Sequence, residues 1–278
     1  MATLSWNRYG KSRVRLVKVR RGADSHDLVD LTIDIALEGA FERVYTGGDN
    51  SACVATDTMK NTVYALARQD GIDHVETFAA RLADHFSAAA GVSLVRIEAA
   101  EHPWVRLPVR GRPHPHAFAR AGQEEWTTVV SRTAGSTSIA SGLRGLVVLK
   151  TKESAFSGFP RDQYTTLPET RDRLLATSIT ATWDYASGFV DFAQRSAVRT
   201  ALIETFAGHQ SESVQQTLYA MGEAALAACA GVTGILLSLP NRHHLPVDLT
   251  PFGLDNPNEI FVATEEPFGL IEARISRS

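Results

Sequence analysis

The sequence has little cysteine, no long apolar run and no excess of basic residues, and each of these absences narrows the class of protein. Its 278 residues include only two cysteines, Cys53 and Cys229, which form no C-x-x-C motif. A disulfide framework is therefore excluded, and a reducing compartment is indicated. The apolar stretches 145–149 and 234–237 are far shorter than the roughly 18 residues needed to span a bilayer. Lys and Arg number 28 against 31 Asp and Glu, a net charge of −3, which argues against a nucleic-acid or anionic-membrane binder.

Targeting signals are also missing from the sequence. The N-terminus has no apolar segment of the kind found in secretory signals. The C-terminus reads Ile-Ser-Arg-Ser and lacks the terminal leucine of a peroxisomal Ser-Lys-Leu signal. We therefore expect a soluble cytoplasmic protein that binds neither membrane nor nucleic acid.

The common cofactor and metal motifs are absent as well. The sequence contains no GxGxxG after a strand, no GxxxxGK[ST], no HExxH and no GxSxG. Nine histidines are present, and the densest groups are His114-Pro115-His116 and His243-His244. No Cys, Asp or Glu accompanies them at the spacing of a zinc site, so we expect neither a metal nor an organic cofactor.

The pattern of apolar residues predicts an α+β protein. Residues 31–37 alternate apolar and polar side chains, as a half-buried strand does. Residues 57–68 and 74–90 carry apolar side chains at helical spacing. Strand patterns then return and are followed by a second pair of helices, over 189–207 and 211–228. This pseudo-repeat predicts two domains, 1–120 and 121–278, joined through Gly111–Gln123, with antiparallel sheets and helices on one face.

Several local segments are more specific than this general pattern. In order along the chain they are Tyr9-Gly10-Lys11, Asp49-Asn50-Ser51, Val54–Thr58, Lys60-Asn61-Thr62, Pro113–His116, Gly145–Lys150, Gly158–Leu167, Asp172-Arg173, Val214–Thr217 and Ser238–His244. Together these segments resemble the urate oxidase (uricase) family, from about residue 9 to about residue 275.

The resemblance implies a fold and an activity. The fold is two tandem T-fold (tunnelling) domains, each an antiparallel four-stranded sheet backed by two helices. The activity is the oxidation of urate by O2 and water to 5-hydroxyisourate and hydrogen peroxide, without a cofactor. The resemblance also implies a homotetramer whose active sites lie at the subunit interfaces.

Three residues match the family's proton relay. Lys11 matches the catalytic lysine, which must be neutral to act as a base, a state that burial and nearby cations favour. Thr56 matches the partner whose hydroxyl passes a proton between Lys11 and substrate, and His243 matches the residue that orients and feeds this relay. Asp57 matches a substrate contact made through the backbone. By position alone, Lys11 could be a surface lysine at the start of a strand, and Thr56 or Asp57 could be a helix N-cap.

Five further residues match the family's substrate contacts. Arg173 and Gln215 match the pair that holds the edges of the planar substrate, since a guanidinium is a planar donor fork and an amide both donates and accepts. Phe156 matches the aromatic ring that stacks on the purine face, and Val214 adds an apolar contact. Asn241 matches the residue that holds dioxygen or the attacking water above the substrate plane.

Two other classes of function remain open from the sequence. Some T-fold enzymes are zinc-dependent pterin enzymes, although the Cys and His cluster that they use is not evident here. A purine-binding oligomer without turnover is the second alternative, and it requires Lys11, Thr56 and His243 to be inert.

Overall fold

The computed structural model describes residues 2–278 of the chain. The strands are β1 (Tyr9–Arg21), β2 (His26–Gly39), β3 (Val92–Glu101), β4 (Trp104–Val109), β5 (Arg112–Arg120), β6 (Glu125–Thr133), β7 (Thr137–Lys150), β8 (Leu175–Tyr185), β9 (Val232–Pro246) and β10 (Phe261–Ser276). The helices are α1 (Glu42–Gly47), α2 (Thr56–Gln69), α3 (Val75–Ser87), α4 (Arg195–Gly208) and α5 (Val214–Ala228).

These elements form two compact units. The first comprises residues 2–142 with 184–193, and the second comprises 143–183 with 194–278. The chain passes between the units within β7, within β8 and again between residues 193 and 194, just before α4. The domain boundary predicted between residues 120 and 121 stays a prediction.

The first unit is an antiparallel sheet covered by two helices. Its main strands lie in the order β1-β2-β3-β6, and α2 and α3 contact the same sheet. Leu31, Ile33 and Leu37 of β2 are completely buried beneath Phe78 and Leu82 of α3. Each such side chain contributes about 1.5–3 kcal/mol by leaving water, so the alternating face of β2 is the centre of this core.

The second unit repeats this arrangement with strand order β7-β8-β9-β10. The strands β9 and β10 pair antiparallel, and α5 packs on both of them and on α4. Ile235, Leu237 and Leu239 of β9 are buried, as is Met221 of α5. Each unit therefore contains two long helices and four long strands, and the predicted α+β class with two tandem T-fold domains is confirmed.

The segment predicted as a connection, Gly111–Gln123, has a different structure. Most of it is β5, which pairs antiparallel with β4 in a separate two-stranded sheet. The turn is Arg110-Gly111, and both residues have positive φ, 51° and 76°, as a two-residue type I′ hairpin requires. Prolines 113 and 115 weakened the strand pattern, because proline is tolerated only at edges of sheets.

Two helix predictions also need correction. The helix predicted from residue 189 begins at Arg195. The apolar residues before it pack elsewhere: the Phe189 ring stacks on Tyr185 with centroids 4.8 Å apart, and Phe192 meets Tyr185 edge-on at 5.2 Å. The short helix α1 was not predicted, since six residues carry too little periodicity. None of the helices in residues 2–278 is both long and apolar enough to cross a membrane.

We predict that Gly10→Ala destabilises the first unit. A Cβ at Gly10 would lie 1.8 Å from the Ile35 carbonyl oxygen of β2, so the backbones of β1 and β2 would have to separate. The expected loss in free energy of unfolding is about 1–3 kcal/mol or more, measured by chemical denaturation. Gly135→Ala is the control, because nothing lies within 4 Å of a Cβ at that position. Equal stability of the two variants would contradict the close approach.

Candidate active site

The predicted site residues of the first unit lie where β1 meets the start of α2. Tyr9 and Lys11 are two residues apart on β1 and therefore share one face of the strand. The Tyr9 hydroxyl oxygen accepts a hydrogen bond from the Val54 backbone N–H at 2.9 Å, and the Tyr9 ring meets Phe41 edge-on at 4.9 Å. Thr56 follows Val54 by two residues, so this bond brings the start of α2 to the face of β1 that carries Lys11.

The environment of Tyr9 keeps its hydroxyl protonated. Burial raises the pKa of Tyr9 to about 12, and the neighbouring Cys53 adds to this rise, while the hydrogen bond from Val54 opposes it. Tyr9 is therefore neutral at any physiological pH, and its oxygen serves as a constant acceptor for the Val54 N–H.

Thr56 and Asp57 are the first two residues of α2, and neither is its N-cap. The capping position is Ala55, which makes no side-chain capping hydrogen bond, so the N-cap interpretation of Thr56 and Asp57 is wrong. Within residues 2–278 the Thr56 hydroxyl makes no hydrogen bond. The first amide groups of the helix have no intrahelical partners and can face an anion.

The Asp57 carboxylate is already engaged by its own helix. It accepts hydrogen bonds from Lys60 and, at 2.9 Å, from Asn61. The hydrogen bond and the charge of Lys60 lower the pKa of Asp57, and the charge of Lys11 adds a smaller decrease. Lys11 is thus within electrostatic range of Asp57, and Asp57 has its backbone rather than its side chain to offer a ligand.

A cavity of about 570 Å³ in the second unit gathers four of the predicted residues. They are Phe156, Arg173, Asn241 and His243. Apolar side chains complete the wall, among them Leu167, Leu245 and Phe261, and no sequence motif had singled out Leu245 or Phe261. Most of the cavity surface is therefore apolar, as in other small-molecule sites, while polar and charged side chains, Asp172 and Glu259 among them, line the rest.

The loop between β7 and β8 places Phe156 against Arg173. Phe156 exchanges two backbone hydrogen bonds with Thr170, at 2.8 and 3.0 Å, and the Arg173 N–H donates to the Ser154 carbonyl at 2.9 Å. The Arg173 guanidinium carbon lies 5.3 Å from the centroid of the Phe156 ring, within cation–π range. Phe159 stacks on Phe156 with centroids 4.9 Å apart, so the ring is fixed from one side.

The guanidinium of Arg173 lacks a full set of partners. Burial lowers its pKa below the usual value, and within the described residues Nε is buried without a hydrogen-bond acceptor. Buried polar groups are almost always paired, and Arg173 lines the cavity, so its guanidinium brings a positive charge with an unused donor to this wall.

Val214 and Gln215 are the first two residues of α5, beside the Phe156 loop. The Ala155 N–H donates to the Ser211 carbonyl at 2.7 Å, and the Ser211 N–H donates to the Glu153 carbonyl at 3.0 Å. Val214 is buried and Gln215 is exposed. Among the residues described, those lining the cavity include neither of them. Ser211 was not identified from the sequence, because its role depends on a backbone pairing with a distant loop.

Asn241 and His243 project from the same face of β9. They are two residues apart, and the partner strand shifts register opposite them: Asn241 pairs with Gly269 and His243 with Thr264. This irregularity leaves four residues of β10 outside the ladder next to Arg242. The predicted residues therefore fall into two groups, Lys11, Thr56 and Asp57 in the first unit and the other six in the second.

The histidines of the described chain form no cluster with other metal-binding side chains. Over residues 2–278, no group of three or more His, Cys, Asp or Glu side chains is arranged to hold a metal ion. His114 and His116 lie on β5, where their rings meet edge-on with centroids 4.6 Å apart.

The fold defines a class of protein, a tandem T-fold protein, and its second unit has a cavity lined by the Phe156 ring, the Arg173 guanidinium, Asn241 and His243. The uricase family model matches residues 7–131 and 139–272. The uricase of Arthrobacter globiformis is 47% identical over 276 residues, covering 99% of this chain and 90% of that protein. The uricase of Dictyostelium discoideum is 38% identical, covering 100% and 99%. The crystal structure of the Arthrobacter globiformis uricase superposes with a TM-score of 0.94 at 46% identity, covering 100% of this chain and 96% of that one.

The chain belongs to the uricase family. The resemblance that the sequence motifs indicated is thereby confirmed.

We predict that Tyr9→Phe loosens the junction between β1 and α2. The ring still packs on Phe41, but the Val54 N–H loses its acceptor, which costs about 1–3 kcal/mol of unfolding free energy for a partly buried donor. Chemical denaturation measures this loss. The control is Tyr45→Phe, which removes a hydroxyl that donates to the Arg8 carbonyl at 3.1 Å from a half-exposed ring. If Tyr45→Phe costs as much as Tyr9→Phe, the Val54 bond has no special role.

Proposed function

We propose that the chain is a urate oxidase. Urate, O2 and water are converted to 5-hydroxyisourate and hydrogen peroxide: the purine loses two electrons, O2 gains two electrons and two protons, and the oxygen of water remains on the ring. The urate dianion is electron-rich enough to reduce dioxygen itself, so the proposed reaction uses no cofactor. The protein has to stabilise the anion, hold O2 over the ring and admit water afterwards.

The observation that carries the proposal is the unpaired guanidinium of Arg173 beside the Phe156 ring. A planar purine anion lying on Phe156 would bring its negative edge to Arg173, whose Nε lacks an acceptor within residues 2–278. Gln215, in the first turn of the neighbouring helix α5, would read an adjacent carbonyl and ring N–H. Val214 would supply apolar contact at the same edge.

The proposed proton relay combines Lys11 and Thr56 of the first unit with His243 of the second. Lys11 would take a proton from urate through the Thr56 hydroxyl, which makes no hydrogen bond within residues 2–278. The Asp57 backbone N–H would hold the anion at the start of α2. His243 would orient and feed this relay, and Asn241, on the same face of β9, would hold O2 or water above the ring.

We further propose that two copies complete each site. Lys11, Thr56 and Asp57 of one chain would act on urate held by Phe156, Arg173 and Gln215 of a neighbouring chain, in a homotetramer. In this arrangement a monomer has only half-sites and is inactive.

The activity is tested by mixing the protein with urate and following three signals together. We expect the ultraviolet absorbance of urate to fall, oxygen to be consumed and peroxide to accumulate in equal amounts, with or without a metal chelator. Loss of activity with chelator would favour a zinc-dependent T-fold enzyme. Tight binding of urate without oxygen uptake would favour a purine-binding oligomer. The full-length match to uricases favours neither alternative.

The shared site is tested by complementation between two inactive variants. We expect Lys11→Ala and Arg173→Ala to be inactive alone, because each lacks one half of every site. Co-expressed and randomly assembled, they should recover on the order of a quarter of wild-type activity, since that share of sites has both halves intact. Purified homo-oligomers mixed without subunit exchange are the control. If the mixed oligomers stay inactive although both chains are present, the two halves act within one chain.

A further inference from the structure

The strand that carries Lys11 contains a β-bulge directly after this residue. In the ladder between β1 and β2, Lys11 pairs with Ile35 and Val14 pairs with Ile33. The chain of β1 therefore advances three residues while β2 advances two, so β1 holds one extra residue between Lys11 and Val14.

The bulge decides which face of the sheet Lys11 occupies. Residues paired across a ladder point to the same face, and Ile33 and Ile35 both point into the core beneath the helices. Val14 is buried on that face. In a regular strand, residues three apart point to opposite faces. Only the extra residue allows Val14 to fill the core while Lys11 faces the start of α2.

A single side-chain hydrogen bond secures this irregularity. The Asp34 carboxylate of β2 accepts from the Arg13 backbone N–H at 2.8 Å, with Oδ1 as the acceptor. Arg13 has φ = 57°, in the left-handed region that residues with a Cβ adopt only at a cost. Asp34 thus holds a donor that the bulge has removed from the regular ladder, and it does so from the face opposite Lys11.

We propose that Asp34 is a positioning residue for Lys11, because it fixes the bulge that aims this lysine at Thr56. The inference rests on the proposed urate oxidase activity and deepens it. Without the bond, β1 can relax toward a regular register in which Lys11 or Val14 leaves the helix side. Such a change misplaces the proposed base and leaves the Phe156–Arg173 cavity of the second unit untouched.

The matched control is Glu98 of β3. Glu98 pairs directly with Asp34 across the ladder, and both residues border the same surface cavity of about 360 Å³. Its carboxylate accepts from Arg96 Nε at 2.7 Å and makes no bond to the bulge. Glu98→Ala therefore removes the same charge from the same place and leaves the Arg13 N–H paired.

The experiment compares kcat, KM and the pH profile of kcat for Asp34→Ala, Asp34→Asn and Glu98→Ala in the assembled protein. We expect Asp34→Ala to lower kcat by about 10- to 100-fold, as a small misplacement of a reacting group does, with KM changed less than about two-fold. Asp34→Asn retains an oxygen acceptor and should keep near wild-type kcat and an unchanged pH profile. Glu98→Ala should do the same.

Each other outcome overturns the inference. If Asp34→Asn and Asp34→Ala shift the pH profile of kcat by the same amount, Asp34 acts through its charge and not through the bulge. If Asp34→Ala and Glu98→Ala have equal kcat, the bond is dispensable. Should Asp34→Ala fail to assemble, Asp34→Ser, whose hydroxyl is about one bond too short to reach Arg13, takes its place. If the wild-type protein does not oxidise urate, the proposed function itself is refuted. This result differs from every result above that overturns the role of Asp34, because those require an active wild-type protein.

Discussion

The buried face of β2 sets the position of everything in the first half of the candidate site. Ile33 and Ile35 are fixed in the core by the two helices, and their ladder partners on β1 have to share that face. A strand that must bury Val14 and also present Lys11 to the helix side cannot be regular. Burial of Val14 on the same face as Lys11 thus requires the bulge. On the opposite face, the Asp34 carboxylate accepts the Arg13 N–H that the bulge takes out of the ladder. This half of the site is therefore a consequence of strand register.

The second half of the site is built by different means. Phe156 and Arg173 lie on a long loop, where no sheet ladder defines their positions. Backbone hydrogen bonds hold these two residues instead of a ladder. Phe156 exchanges two with Thr170, and the Arg173 N–H donates one to the Ser154 carbonyl. Ser211 then joins this loop to the turn before α5. Because Ser211 is fully buried and its hydroxyl accepts from Thr217 at 2.8 Å, the loop is anchored to a helix rather than left to solvent.

The sequence predicted the regular elements better than the irregular ones. The strand over 31–37 and helices α2 and α3 follow from periodicity, because each buries one continuous face. Strand β5 was missed because Pro113 and Pro115 mask its strand pattern. The bulge after Lys11 could not be predicted, since the carboxylate that accepts its Arg13 N–H, Asp34, is 21 residues away. No local signal at Ser12 or Arg13 reports this pairing.

The membership of the candidate site stays a prediction from family resemblance, and its connections could not be predicted from the sequence. The motifs around Lys11, Arg173 and His243 identified the residues through a family resemblance. The acceptor role of Tyr9 and the apolar wall of the cavity depend on contacts between distant segments, and no motif encodes those.

In the proposed urate site, Arg173 would let the cavity hold an anion with few contacts. Burial removes part of the hydration of its guanidinium in the folded chain, and this lowers the pKa of Arg173. The face of Phe156 offsets part of this cost, but Nε has no acceptor among residues 2–278. An incoming carboxylate-like or enolate-like edge therefore gains a charge-assisted hydrogen bond without desolvating the arginine again. The same linkage means that a bound anion stabilises the fold, by about 2.7 kcal/mol at a concentration one hundred times Kd.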